Sequence, residues 1–383
     1  MMFQAYNIDS VKNIEIQKTA KTLLDESRLT PPQYQAVKEA FPIQFKQTNV
    51  FMRIGLFIFT NLCISFGVGV LSLILGNSFS SMGNWGGLLV FYAAILLALA
   101  EYFIRENHWY RSGSDNALIY AAIGCFVSGM VMMVGINNPS VYLLFIFVVL
   151  GLATWRYGDP LLALAAFGTL LSWFFIVCKD YGLSLAAIPL SLAVVSYATY
   201  FFSKKSKNTE GGIYWSDCFK LLEIAGLIAF YGSINYYMIQ HFAIELDKRF
   251  ETEALPLGTV FAVLTAILPL IYIILGIKNR DRILWIIGSF CLIASILTYR
   301  YYHTIMPIEW ALTLAGIVFL ALGLFLMKYF KTSRNGFVYQ PELAKNNPLE
   351  ALLMNQFLQQ PNQDTTAKFG GGDFGGGGSS SEF

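Results

Sequence analysis

From Phe51 to about residue 329 the chain alternates long, continuous apolar runs with short polar punctuation. Ten runs are long enough to cross about 30 Å of hydrocarbon as helices. They cover 51–76, 85–104, 115–135, 139–155, 159–178, 183–203, 214–242, 256–277, 282–302 and 307–329. The runs do not alternate polar and apolar positions as strands do, and open sheet edges are not tolerated in lipid. The pattern therefore predicts an all-α polytopic membrane bundle of about ten transmembrane helices over 51–330.

Polar segments flank the bundle. Residues 1–50 read as a small cytoplasmic helical hairpin. Its first arm offers Ile16, Ala20, Leu23 and Leu24 at helical spacing. Its second starts at Thr30 as N-cap with Pro31 in the first helical position, and carries Leu29, Tyr34, Val37 and Phe41 on one face. About 35 residues are too few to fold alone, so the head is expected to pack on the bundle or on a partner. Residues 331–383 form the tail, with one short amphipathic helix around Leu349–Leu358 and then a Gly/Ser-rich end without the apolar residues to build a core.

Only 13% of residues are charged and 56% are hydrophobic, so the chain cannot cover its apolar surface with polar groups. The lipid bilayer is its expected partner. A net charge of +2 gives no electrostatic support for a nucleic-acid partner. Sixteen Lys and Arg near span ends, from Lys38 to Arg334, fall on one side, whereas Lys179, Lys248, Arg249 and Arg300 fall on the other. The positive-inside rule then puts both termini in the cytoplasm.

Two punctuation marks echo each other. "WYRSGSDNALIYAAIG" (Trp109–Gly124) and "TWRYGDPLLALAAFG" (Thr154–Gly168) each place an Arg, a Gly and an Asp before an apolar run. In this reading Arg111 and Arg156 hold the turns on the cytoplasmic side, and Gly113 and Gly158 allow the bend. Asp115 and Asp159 sit at the N-caps of the helices that follow. The echo is either a duplicated hairpin or what any tight cytoplasmic turn requires.

Ionisable groups inside the spans are scarce. Glu223 is the most deeply placed carboxylate, and Lys220 lies one turn before it on the same face. The pair is either a proton or cation site or a carboxylate neutralised near the headgroups. Ser233 and Asn235 lie further along the same span and would extend a polar path. Glu101 and Arg105 form a second i, i+4 pair. Pro189 and Pro269 stand at the centres of two spans and predict kinks, which can mark a midplane substrate site. Arg300, His303 and Glu309, among several tyrosines, make a candidate outer-face cluster.

No catalytic residues present themselves. The chain lacks Gly-x-Ser-x-Gly, His-Glu-x-x-His and a Lys-bearing phosphate loop. A membrane prenyl-protease would need a second Glu beside Glu101, where Ala100 stands, and a lipid-linked glycosyltransferase would need acids in the loop "NSFSSMGN". Cys63, Cys125, Cys178, Cys218 and Cys291 have no metal or redox spacing, so neither a metal nor another cofactor is expected.

The stretch "LLDESRLTPPQYQAV", with Leu24, Leu29, Thr30 and Gln33 ahead of the spans, resembles a group of uncharacterised bacterial membrane proteins. These carry a short helical N-terminal segment before eight to ten membrane helices. The Gly/Phe-rich tail is similar to endings of other bacterial envelope proteins. The resemblance implies a bacterial inner-membrane location and brings no activity. Two function classes follow from the residues: a transporter-like or small-solute-binding bundle, and a non-catalytic scaffold whose head and tail recruit cytoplasmic proteins.

Overall fold

The computed structural model describes residues 4–302, except 26–27, 47, 76–80, 208, 247 and 249–254, and scattered positions between 310 and 324. Twelve α-helices and no strands occur among the described residues. α1 (Ile8–Asp25) and α2 (Pro31–Ala40) form the head. The bundle follows with α3 (Val50–Leu75), α4 (Met82–Glu106), α5 (Ser114–Val134), α6 (Pro139–Tyr157) and α7 (Pro160–Asp180). It continues with α8 (Ala187–Lys207), α9 (Ser216–Ile234), α10 (Tyr236–Leu246), α11 (Gly258–Lys278) and α12 (Arg282–Tyr302).

Seven of these are long and apolar enough to cross a membrane: α3 to α7, α11 and α12. α8 is equally long at 21 residues but ends in Lys204, Lys205 and Lys207, and α9 carries Asp217, Lys220 and Glu223 in its first half. The span expected at 307–329 lies largely outside the described residues, as do the tail and its amphipathic helix.

The head closes as its apolar pattern requires. Ile16, Ala20, Leu23, Leu29 and Val37 are buried together, with Leu24, Tyr34 and Phe41 packed around them. Gln33 accepts from the backbone N–H of Thr30 and fixes the start of α2. Tyr6, Val11 and Ile14 are buried in a different cluster, the core of the α3–α7 half-bundle, so the head is seated on the membrane helices.

Two core clusters divide the bundle. One joins α3–α7 with Tyr214, and the other joins α8–α12. Close helix approach depends on glycine in both. A Cβ at Gly86 or Gly129 would stand 2.6 Å from the other's carbonyl oxygen, so α4 and α5 cross backbone against backbone. α9 approaches α8 the same way, with Gly226 against the Ser196 carbonyl.

Three local expectations are corrected. Asp115 is not the N-cap of α5. That position is Gly113, with φ of 101°, and a side chain there would strike the Arg53 carbonyl. Asp115 sits two residues further on and accepts from the N–H and hydroxyl of Ser112. Pro189 falls in the first turn of α8, where no intrahelical donor is lost, so it starts the helix rather than kinking it. The run 214–242 is not one helix, because it breaks at Asn235 between α9 and α10. Pro269 does lie inside α11.

Candidate functional site

The basic end of the bundle is a layer of paired charges. The two echoed turns meet there, because Arg111 reaches out of its own turn. Its guanidinium donates to the Gly158 carbonyl at 2.8 Å and to Asp217 of α9 at 2.5 Å. Arg111 holds the left-handed conformation (φ 48°), which costs a non-glycine residue about 1–3 kcal/mol and persists because both ends are tied. Asp159 does cap α7, accepting from the N–H groups of Leu161 and Leu162, and it also takes bonds from Asn116 and Tyr120 of α5. Glu101 binds Arg156 at 2.7 Å and the Tyr157 hydroxyl, with the exposed Arg105 further away at 3.5 Å. The expected Glu101–Arg105 pair is thus the weaker one.

The head completes this layer. The Tyr6 hydroxyl donates to buried Asp115, the Ala5 N–H donates to the Arg156 carbonyl, and Glu15 pairs with Lys220 at 3.0 Å. Burial first, and then the adjacent Asp115 carboxylate, hold the Tyr6 phenol well above its ordinary pKa.

Lys220 is therefore not the partner of Glu223. On α9 it faces Glu15 and Asp217, whereas Glu223, 1% exposed, accepts from Lys207 of α8 at 2.6 Å. One turn earlier on α8, Lys204 binds Asp281, which caps α12 through the N–H groups of Ile283 and Leu284. Burial alone would raise the Asp281 pKa, but Lys204 and the Leu284 N–H more than offset it and hold the carboxyl below the usual range. Two lysines of one helix end thus tie α8 to α9 and to α12. No residue of this tie lines a cavity described here. Ser233 does not extend a polar path from Glu223, since its hydroxyl donates to Ala229 of its own helix.

The polar atoms that do converge are at the opposite end. Asn235 is buried (4% exposed) at the α9–α10 break. Its carbonyl oxygen accepts from the N–H groups of Tyr237 and Met238, so it caps α10, and its amide donates to the hydroxyls of Tyr231 and Thr298. The Tyr236 N–H, freed by the break, donates to Thr265 of α11 at 2.9 Å. Four residues on, Pro269 has no N–H to return to the Thr265 carbonyl.

Beside this knot lies a cavity of about 350 Å³ between α10, α11 and α12, with Tyr236, Thr259, Thr265, Thr298, Tyr299 and Tyr302 in its walls. Thr265 stands seven residues, about 10 Å, inside α11. A broken helix, a proline-interrupted neighbour and a mostly apolar cavity with hydroxyls in its walls coincide here. No known family matches the chain, and no curated protein or solved structure does.

Of the candidates named from sequence, Asn235 and Pro269 fall at this site, Glu223 and Lys220 fall at the basic end, and Pro189 falls at neither. Arg300 is on α12, between the cavity-lining Tyr299 and Tyr302 but not itself in the walls, while His303 and Glu309 lie outside the described residues. The walls themselves, Thr265 and Thr298 above all, were not singled out. The available signal was hydroxyls set inside apolar spans, "AVLTAILP" and "ASILTYRYY". A second cavity, of about 160 Å³ between α3, α4 and α5, is walled almost wholly by apolar side chains such as Leu71, Trp85 and Met132.

Proposed function

We propose that this chain is a bacterial inner-membrane protein that binds, and moves between the two sides, a small solute held at the α9–α10 break. The supporting observation is the coincidence of the Asn235 break with a cavity of about 350 Å³, within the range of about 300–1,000 Å³ of small-molecule sites. Discontinuous helices leave polar backbone and capping groups at depth, and such groups are stable in a membrane only where they are buried in protein or line a cavity. In this reading α8 and the broken α9–α10 pair also cross the bilayer. The run 307–329 supplies the last of about ten spans, and both termini are cytoplasmic. Reporter fusions after Ser80, Lys207 and Phe383 test the topology, and an extracytoplasmic signal at Phe383 overturns it.

The rival reading, a scaffold recruiting cytoplasmic proteins through head or tail, draws support from the tightly paired basic end on which the head sits. Complementation of a strain lacking the protein separates the two. Solute binding expects Asn235→Leu to abolish function at normal membrane levels, while deletion of 345–383 leaves it intact. The scaffold expects the reverse.

A further inference from the structure

We infer that the solute is uncharged, and that the cavity beside Asn235 selects against ions of either sign. This rests on the reading of the break as the solute site. Among the described residues, no Asp, Glu, Lys, Arg or His lines the cavity. Its walls are mostly apolar, aromatic rings and small residues, with hydroxyls set among them. The hydroxyls already have directions: Thr298 and Thr265 are spent on Asn235 and on helix carbonyls, and Tyr299 donates to the Ala262 carbonyl at 2.6 Å. Thr259, Tyr236 and Tyr302 have hydroxyls with no partner among the described residues and are left to serve a ligand.

An ion entering here would leave its hydration shell and meet no counter-charge, whereas a neutral hydrogen-bonding molecule exchanges water for these hydroxyls. The tyrosine rings could in principle attract a cation through their faces. However, Tyr236 and Tyr302 pack against each other edge to face, with centroids 5.0 Å apart, and Tyr302 is held the same way by Tyr301 at 5.1 Å. The rings are used on one another. The basic end differs, because there buried Glu223 is paired with Lys207 and Asp281 with Lys204, whereas among the described residues no charged side chain lines this cavity.

Labelling of introduced thiols tests this on the full chain in nanodiscs. Cys63→Ser and Cys125→Ser remove the two native cysteines that are not buried. Into that background go Thr259→Cys, exposed in the wall, Ala262→Cys, one turn deeper, or Thr298→Cys on the facing helix. The probes are the hydroxyethyl (neutral), sulfonatoethyl (anionic) and trimethylammonioethyl (cationic) methanethiosulfonates, with adducts counted by intact mass. The neutral probe is expected to label all three variants. Relative to Thr259→Cys, both charged probes are expected to label Ala262→Cys and Thr298→Cys at least about ten-fold more slowly. Charged probes reaching the deep positions as readily as the neutral one overturn the selection, and a fast cationic probe alone points to an aromatic cation cage instead. If even the neutral probe fails at both deep positions while labelling Thr259→Cys, the cavity is closed to solutes and the solute-site reading itself falls.

Discussion

Replacing Glu223 with Gln keeps the shape of the side chain and removes its charge. Glu223 is 1% exposed and its oxygen lies 2.6 Å from the Lys207 ammonium, which is 24% exposed. Breaking a buried pair by removing one partner costs about 3–5 kcal/mol, because the remaining charge is stranded. Lys207 is in the last turn of α8 and retains a path to water, so the loss belongs near the lower figure, about 3 kcal/mol. Adding Lys207→Gln removes the stranded charge and should restore at least half of the loss, giving a coupling of at least about 1.5 kcal/mol across the cycle. Unfolding in mixed micelles, followed by tryptophan fluorescence for wild type, both single variants and the double variant, measures all four corners. Solute movement should be unchanged per folded molecule, since the pair lines no described cavity. A Glu223→Gln protein as stable as wild type, or a double variant no better than the single, would refute the pairing. Loss of transport at unchanged stability would instead make Glu223 a coupling site.

Gly129→Val drives a side chain into the Gly86 carbonyl and Val90, and should cost about 1–3 kcal/mol as α4 and α5 are forced apart. Gly124→Ala, where a Cβ meets nothing within 4 Å, is the matched control and should melt like wild type. Asn235→Ala strips the α10 cap and leaves the Thr298 hydroxyl without its amide, so thermal stability should fall by about 1–2 kcal/mol, with the loss recovered poorly by Asn235→Leu. Acid should loosen the basic end. Because the Asp281 pKa is depressed in the fold, its contribution is present in full above about pH 5 and is lost as pH falls through the folded value. In Asp281→Asn that acid-sensitive part of the unfolding midpoint, measured from pH 7 to pH 3, should disappear.

The helices were readable because lipid demands long apolar runs, and the boundaries expected for α5, α7, α11 and α12 fall within about two residues of those found. Pairing was not readable. The spacing of Lys220 and Glu223 promises a local pair, yet nothing local records that the last turn of α8 lies against α9, or that Glu15, 205 residues away, claims Lys220. The break at Asn235 was hidden for a different reason. No Pro marks it, and its cues, Gly232–Ser233 just before the break and an Asn followed by an apolar run as an N-cap would be, are swamped by the hydropathy on either side. Asp115 misled by a shift of two positions, because φ of 101° at Gly113 lets the helix begin earlier than a side-chain cap would.

The seating of the head also sets a clock. Tyr6 must wait for Asp115, 109 residues later, and Glu15 must wait for Lys220, 205 residues later. At about 5–20 residues per second, the second wait lasts about 10–40 s of synthesis. Tyr6 lacks its partner for the first half of that interval and Glu15 for all of it, while one helix after another enters the bilayer. Docking therefore comes late in biogenesis, and it requires α5, α6 and α9 to have arrived in register. A docked head reports an assembled bundle, whereas an undocked one leaves the link between α2 and α3 open to quality-control proteases.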